Sequence, residues 1–217
     1  MDAKTALITR RSTRQFTNQQ IPQDDLIEIV KIAQHAPSWV SSQPQKVHIA
    51  TGQHLKAIRQ AHQKALKQQK EAQPDLPTLP SKQWPATTQP HMQHWFNEVK
   101  NTLGDDWSNT FDDHRQILFN AQAIVYMTLP RKYSQWSLYD LGAFGEALLT
   151  AAQAKKIASL PAYQFVCYPD ILRQELSFES DEQIIMGIGL GYRDEKAPIN
   201  QIIAERLPLE DFLTIQD

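Results

Sequence analysis

IIMGIGLGY, residues 184–192, is the stretch that decides between two fold classes. Read as a strand, it places Gly187, Gly189 and Gly191 on one face and larger side chains on the other. Similar glycine spacing occurs in doubly wound nucleotide-binding folds, where the glycines lead from a strand into a helix. Here Tyr192 and the polar run RDEKAP follow instead of a helix opening. The stretch therefore argues against a Rossmann-type fold.

Hydrophobic periodicity predicts the other elements of the core. They are a helix capped by Asp2, a second helix from Pro22 that stops before Pro37, strands at 46–51 and 123–129, and a central helix at 137–154. The central helix has two apolar faces, so we expect it to pack on both sides. Its glycines, Gly142 and Gly145, each cost about 1 kcal/mol relative to alanine, so we expect a close neighbour there. The patterns indicate three or four strands and at least five helices without selecting a topology.

Length and composition predict one domain with one unusual segment. The chain has 217 residues, of which 41% are hydrophobic, enough for a substantial core within a single domain over residues 1–217. Residues 52–115 are richer in Gln, His, Lys and Pro and read as a helical excursion outside the core. Large aromatic residues within this excursion either pack it onto the body or cover an active site.

Charge and composition exclude several classes of function. With 22 basic and 24 acidic residues, the chain has no general positive surface for nucleic acid. No apolar run is long enough for a membrane span or a signal peptide, so no membrane association and a cytoplasmic location are expected. The single cysteine, Cys167, excludes an internal disulfide. His91 and His94 lack a carboxylate or cysteine at a supporting spacing, so no metal site is expected.

RRSTR, residues 10–14, is a local concentration of hydrogen-bond donors in a chain of net charge −2. Planar guanidinium groups suit a phosphate dianion and keep their charge at any relevant pH. Taken alone, the same stretch also fits the solvated end of a helix, where cations favour the helix dipole. Motifs elsewhere in the chain are needed to choose between these two interpretations.

Five segments in a fixed order carry a resemblance to a known family. They are RRSTR (10–14), APSWVSSQP (36–44), YDLGAFGEALLTAA (139–152), GIGLGYRDEKAPIN (187–200) and ERLPLEDF (205–212). In this order they resemble the FMN-dependent nitroreductase family, and the later segments look most like its branch of nitrobenzoate-type reductases. The set spans both ends of the chain and leaves only about 52–115 without assignable motifs.

The resemblance implies a set of cofactor-binding residues. They are Arg10, Arg11, Ser12, Arg14 and Arg206 around the FMN phosphate, Pro37, Ser38, Ser41 and Gln43 from a second subunit, and Pro161, Ala162, Tyr163 and Gln164 beside the reactive side of the flavin ring. In this arrangement Arg11 reaches either the phosphate or the polar edge of the ring. A backbone N–H from Gln164 or its neighbour would stabilise the reduced flavin, so no side chain is expected as a general acid or base.

The resemblance also implies an activity, a fold and an assembly. NADH or NADPH would give hydride to FMN and leave, and a nitroaromatic or related electron-poor aromatic or quinone would then take two electrons, a ping-pong sequence. The implied fold is α+β, with a mainly antiparallel central sheet wrapped by helices. The implied assembly is an intertwined homodimer in which the C-terminal strand of each subunit extends the sheet of the other.

The sequence departs from the family pattern at several positions. Ser41 stands where many members have asparagine, Lys156 stands at a turn that glycine makes easily, and Ala204 replaces a lysine of some members. Ser41, Ala204 and the unusual polar excursion keep open a second interpretation, a flavin- or phosphate-binding protein without turnover. Reductive dehalogenation, enone reduction and flavin fragmentation are further reactions that the same scaffold could support.

Overall fold

The sheet at the centre of the computed structural model, which describes residues 1–216, has four strands in the order β1-β2-β4-β3. The strands are β1 (Lys46–Ala50), β2 (Ala123–Pro130), β3 (Ala158–Pro161) and β4 (Glu182–Gly191). All neighbouring strands are antiparallel, which confirms the expected sheet type. The short edge strand β3 was not predicted, because four residues ending in proline carry little periodicity.

Seven α-helices surround this sheet within residues 1–216. They are α1 (Ala3–Thr9), α2 (Gln23–Ala33), α3 (Gly52–Lys67), α4 (Gln89–Leu103), α5 (Trp107–Gln116), α6 (Gln135–Ala154) and α7 (Pro169–Glu175). The predicted N-cap is confirmed, since Asp2 Oδ1 accepts from the Thr5 N–H at 3.0 Å. The helices and the antiparallel sheet together confirm the α+β class. None of the helices described is long and apolar enough to cross a bilayer.

The two faces of the sheet carry two different cores. Alternation along β2 sends Val125 and Met127 towards α2 and α6, and it sends Ile124 and Tyr126 towards α3. All four side chains are 3% exposed or less, so both faces are covered within this chain.

Residues 52–115 contribute to the core more than their composition predicts. Leu55 and Ile58 of α3 are buried with Ile124, so the prediction of an excursion outside the core is wrong for this helix. Further along, Asp75 accepts from the Ile184 N–H at 2.8 Å and from both terminal nitrogens of Arg173. The middle of the segment is therefore fastened to β4 and α7.

The two apolar faces of the central helix α6 are buried to different degrees. Leu141, Phe144 and Leu148 are buried, as predicted. The alanine face lies beside α1 and α2, where Ala151 is buried but Ala143 and Ala147 line an open groove of about 660 Å³. Among residues 1–216 the second face is therefore only partly covered.

The glycines of α6 have different surroundings from those expected. A Cβ at Gly142 would meet nothing within 4 Å, so the predicted close neighbour is absent from the described structure. A Cβ at Gly145 would lie 3.3 Å from the Met127 methyl group. That neighbour belongs to a strand and not to a second helix.

Candidate functional site

The glycine face of β4 anchors two of the predicted site segments. A Cβ at Gly187 or Gly189 would lie 2.5 or 2.6 Å from the Phe165 side chain. A Cβ at Gly191 would lie 2.7 Å from the Phe16 ring. Phe16 follows the RRSTR segment and Phe165 follows Gln164, so the glycines make room for the rings that hold both segments on one strand.

The arginine-rich segment is also joined directly to β3. Ser12 forms a parallel β-bridge with Ser159, and the Thr13 N–H donates to the Ser159 carbonyl at 3.0 Å. The buried Ser159 hydroxyl has no hydrogen-bond partner within residues 1–216. Because residues 162–165 directly follow β3, the structure brings Arg10–Arg14 and Pro161–Gln164 to one edge of the sheet.

A buried amide that the sequence did not single out fixes the backbone of this segment. Asn200 Oδ1 accepts from the N–H groups of Arg14 and Gln15, at 2.6 and 3.1 Å. Its Nδ2 donates to the carbonyls of Gln15 and Asp194, at 2.7 and 2.9 Å. Asn200 is 2% exposed, and both its amide oxygen and its amide nitrogen bond to backbone groups, most of them at Arg14 and Gln15. The signal in the sequence is a lone asparagine, which has no pattern to distinguish it.

The four arginines predicted around a phosphate have no carboxylate partner within the described part of the chain. Of the other five arginines, Arg115, Arg173 and Arg193 each pair with an acidic side chain, whereas Arg59 and Arg131 donate to backbone carbonyls. Arg10 Nη1 is buried without any hydrogen-bond partner among residues 1–216. The exposed Arg11 folds back, and its Nη1 donates to the Ile8 carbonyl at 2.7 Å.

Arg14 lies against aromatic rings of the 52–115 segment. Its guanidinium carbon is 5.6 Å from the centre of the Trp95 ring and 5.8 Å from that of Phe111. Burial lowers the Arg14 pKa to about 10, so the group remains a cation at neutral pH. A partly buried cation without a carboxylate is a strong attractor for an anion.

Arg206 lies on an exposed C-terminal segment that runs beside α4. Its Nη1 donates to the Ala204 carbonyl at 2.8 Å. With Trp95 and His91 it lines a cavity of about 260 Å³, next to a 3.1 Å hydrogen bond between His94 Nε2 and Glu205 Oε2. Arg206 forms no hydrogen bond with residues 10–14 in the described structure, but it shares Trp95 as a neighbour with Arg14.

The segment after β3 presents free backbone donors. The Ala162 N–H donates to the Gly187 carbonyl at 3.2 Å, and this bond continues the sheet past Pro161. The next two N–H groups, of Tyr163 and Gln164, have no acceptor among residues 1–216, as expected for the first turn of a short 3₁₀ helix. They include the backbone donor that the family resemblance implies beside the reactive side of a flavin ring.

The Gln164 side chain points away from these donors into a buried neutral cluster. Its Nε2 lies 2.5 Å from His62 Nε2 and 3.3 Å from Cys167 Sγ. Burial lowers the His62 pKa to about 4 and raises the Cys167 pKa to about 12, so both groups are uncharged at neutral pH. The thiol is therefore unreactive, as expected from the sequence.

The loop containing Pro37, Ser38, Ser41 and Gln43 forms a separate cluster at the start of α6. Backbone φ angles of 55° at Ser41 and 42° at Gln43 make it a tight, left-handed turn. The Trp39 N–H donates to buried Asp140 at 3.0 Å, and the Trp39 ring stacks on Trp136.

Within residues 1–216, no hydrogen bond or ion pair joins this loop to residues 10–14. Within the loop, the Gln43 N–H donates to Ser38 Oγ and Gln43 Nε2 donates to Ser41 Oγ, both at 3.1 Å, and the Ser41 and Gln43 side chains are exposed. Trp39, Asp140 and Trp136 were not predicted, because the contacts that dock the loop join residues about 100 positions apart.

Residues 7–192 match the family model described as "Nitroreductase family". The chain belongs to the nitroreductase family. The matched region covers the arginine-rich segment, the loop before β1 and the whole sheet. The resemblance seen in the ordered motifs is thereby confirmed.

Relatives of this nitroreductase-family chain match over nearly its full length. A chloronitrobenzene nitroreductase of Comamonas testosteroni is 25% identical over 94% of this chain and 92% of its own. A nitrobenzene nitroreductase of Ectopseudomonas oleovorans is 26% identical with the same coverage. The FMN-dependent nitroreductase NfnB from Mycobacterium smegmatis, solved in complex with NADPH, superposes with a TM-score of 0.91 at 24% identity. That superposition covers 99% of this chain and 98% of NfnB, so the fold is that of the family.

Proposed function

We propose that this protein is an FMN-dependent oxidoreductase that uses NADH or NADPH to reduce nitroaromatic or related electron-poor aromatic or quinone substrates. The reaction follows a ping-pong sequence in which each half transfers two electrons. Its relatives are named as nitrobenzene, chloronitrobenzene and nitrobenzoate reductases. Family membership and these names support the reaction class, and the geometry of the chain supports the cofactor.

The observation that carries the proposal is Arg10 Nη1, a buried donor without a hydrogen-bond partner among residues 1–216, together with the partly buried Arg14, which has no carboxylate partner there. A buried donor without an acceptor costs about 1–3 kcal/mol, and Arg10 Nη1 is such a donor. A phosphate dianion would satisfy it and would also neutralise Arg14, whose pKa burial lowers. Ser12 is joined to β3 beside these groups, so Arg10, Ser12 and Arg14 would hold the phosphate. The exposed Arg11 and Arg206 would bind it from the solvent side.

The flavin ring would lie along the segment that follows β3. Bound FMN supplies the hydride-accepting ring and the two-electron chemistry. Tyr163 and Gln164 offer backbone N–H donors to a ring nitrogen, while Pro161 and Ala162 fix the position of these donors at the end of the sheet. No side chain here needs to act as an acid or base, because a fixed backbone dipole stabilises developing negative charge without changing protonation.

The proposal includes a homodimer. The loop residues Pro37, Ser38, Ser41 and Gln43 lie apart from the arginines of their own chain, so they would reach the flavin of a second subunit. Six apolar side chains of the C-terminal segment are at least 41% exposed, and the groove beside α6 is lined mainly by apolar atoms. The exposed side chains are Ile203, Leu207, Leu209, Phe212, Leu213 and Ile215. The described C-terminal segment, residues 202–216, forms no strand in this chain. A partner that exchanges this segment, adds it to the sheet of the other subunit and covers the groove would account for both surfaces.

Two smaller parts of the proposal concern organisation. Residues 1–217 form one nitroreductase-like domain, in which residues 52–115 cover the substrate space through α4 and α5. A cytoplasmic location follows from the need for a continuous supply of NADH or NADPH.

Steady-state kinetics tests the proposed function. Purified protein is assayed for NADPH and NADH oxidation with nitrobenzene, with a quinone and without an acceptor, each with and without added FMN. Parallel lines in double-reciprocal plots are expected for the ping-pong sequence, together with dependence on FMN. Tight FMN binding without oxidation of either nicotinamide would instead establish a binding protein without turnover. Absence of both would refute the proposal.

A further inference from the structure

We infer that Trp95 and Phe111 form an aromatic clamp that positions Arg14 for the phosphate of the flavin nucleotide. The inference rests on the proposed function and adds two positioning residues to its cofactor site. It makes α4 and α5 part of phosphate recognition in addition to their role as a cover. Both helices lie in the segment without family motifs.

The clamp is defined by the geometry of three groups. The Arg14 guanidinium carbon lies 5.6 Å from the Trp95 ring centre and 5.8 Å from the Phe111 ring centre. The two ring centres are 6.1 Å apart and their planes meet at 79°. The Arg14 cation therefore lies between a ring of α4 and a ring of α5. Both distances are within the range at which aromatic rings attract cations.

Aromatic rings can position a phosphate-binding arginine without competing with the phosphate, whereas a carboxylate would compete with it. A carboxylate would occupy the N–H fork and neutralise the charge, whereas a ring attracts the flat face and leaves the edge free. Within residues 1–216 the Arg14 side chain forms one long hydrogen bond, in which Nη1 donates to the Ser12 carbonyl at 3.5 Å. Most of its donors thus remain available to a ligand.

The clamp and the Arg14 backbone are held by the same unit. Trp95 and Phe111 pack with buried Val99 against Ile199 and Ile202. Between these two isoleucines lies Asn200, which accepts from the Arg14 N–H at 2.6 Å. The guanidinium and the backbone of Arg14 are therefore both fixed relative to residues 199–202. These residues lead directly into the segment that carries Arg206.

The test compares a ligand with a phosphate to one without it. Apoprotein of the wild type and of W95L, W95F and W84L is titrated with FMN and with riboflavin, and each dissociation constant is measured from flavin fluorescence. Trp84 is the matched control because it lies in the same segment, is 42% exposed and donates its ring N–H to the Leu79 carbonyl, away from Arg14. Far-UV circular dichroism verifies that each variant is folded.

The expected result is a loss specific to the phosphate. W95L should weaken FMN binding about 5- to 30-fold, the range for a partly desolvated cation–ring contact, and change riboflavin binding less than 2-fold. W95F should recover most of the FMN affinity, and W84L should match the wild type. In an R14A background W95L should have little further effect on FMN, because the two residues act as a unit.

Three outcomes would overturn the inference. They are unchanged FMN affinity in W95L, an equal loss for FMN and riboflavin, and an additive loss in the R14A background. If W95L does not fold, F111L takes its place in the same comparison with the same criteria. A wild type that binds neither flavin would overturn the proposed function itself, whereas normal FMN binding by W95L would overturn the clamp alone.

Discussion

The side chain of Phe16 lies directly over Gly191, where an added Cβ would be 2.7–2.9 Å from its Cδ1, Cγ and Cβ atoms. This contact sets the distance between the arginine-rich segment and β4. Gly191→Ala should therefore destabilise the fold by about 1–3 kcal/mol through overpacking. It should also weaken FMN binding, because it displaces the segment that would hold the phosphate. Urea denaturation and flavin titration measure the two effects.

Gly142→Ala provides the matched control for this prediction. An added Cβ there meets nothing within 4 Å, so the substitution should stabilise helix α6 by up to about 1 kcal/mol in the monomer. Equal destabilisation by both variants would show that the Phe16 contact is not the cause.

Removal of the arginines proposed to bind the phosphate should separate the effect on FMN binding from the effect on stability. Arg10→Ala and Arg206→Ala should each weaken FMN binding by about 1.5–3 kcal/mol, the worth of a charge-assisted hydrogen bond. The stability of the apoprotein should not fall in Arg10→Ala, since Arg10 Nη1 has no partner to lose within residues 1–216. Isothermal titration and thermal unfolding of the apoprotein give the two quantities. Arg131→Ala, which removes an exposed bond to the Ser180 carbonyl, serves as the control. Unchanged FMN affinity in both variants would show that the phosphate lies elsewhere.

The end of helix α6 contains a residue in a strained conformation. Lys156 has a φ of 62°, and the N–H groups of Lys156 and Ile157 donate to the carbonyls of Gln153 and Ala152. This is the turn in which glycine is preferred. Lys156→Gly should raise the free energy of unfolding by about 0.5–1 kcal/mol. Lys155→Gly should lower it, because Lys155 has a negative φ and pairs with Asp25 and Glu28. A loss of stability in Lys156→Gly would contradict this account of the turn.

Mild acid should destabilise the protein through His62. Burial lowers its pKa from 6.5 to about 4, so below pH 6.5 the unfolded chain binds a proton that the folded chain does not. Stability should fall as the pH drops from 6.5 towards 4, by about 1–2 kcal/mol between pH 7 and pH 5. His62→Gln should reduce this loss, whereas substitution of the exposed His54 on the same helix should not. Urea unfolding at the two pH values measures the difference, and an identical pH dependence in wild type and His62→Gln would contradict the assignment.

The parts of the fold that were predictable have strong local signals. The strand at 184–192, the helix α6 and the cap at Asp2 follow from periodicity and capping, and the ordered motifs identified the family. Helix α3 was predicted to lie outside the core because most of its residues are long and polar, and its apolar face, which includes Leu55 and Ile58, is narrow. Strand β3 is too short to show a period.

The candidate site was predictable only where a short motif carries it. The arginines were found because three of them cluster in five residues. The rings that hold Arg14 lie about 80 and 100 residues away, and Asn200 lies 186 residues away. Contacts over such separations depend on the topology, which no local pattern specifies.

The central claim is that this chain passes electrons from a nicotinamide to an aromatic acceptor through a bound flavin. An anaerobic titration of the FMN-loaded protein tests it most directly, with the flavin absorbance followed as NADPH or NADH is added and then nitrobenzene. We predict that one equivalent of reduced nicotinamide per flavin bleaches the absorbance and that nitrobenzene restores it without oxygen. A flavin that neither nicotinamide bleaches, or that stays bleached after nitrobenzene and a quinone, would contradict the account.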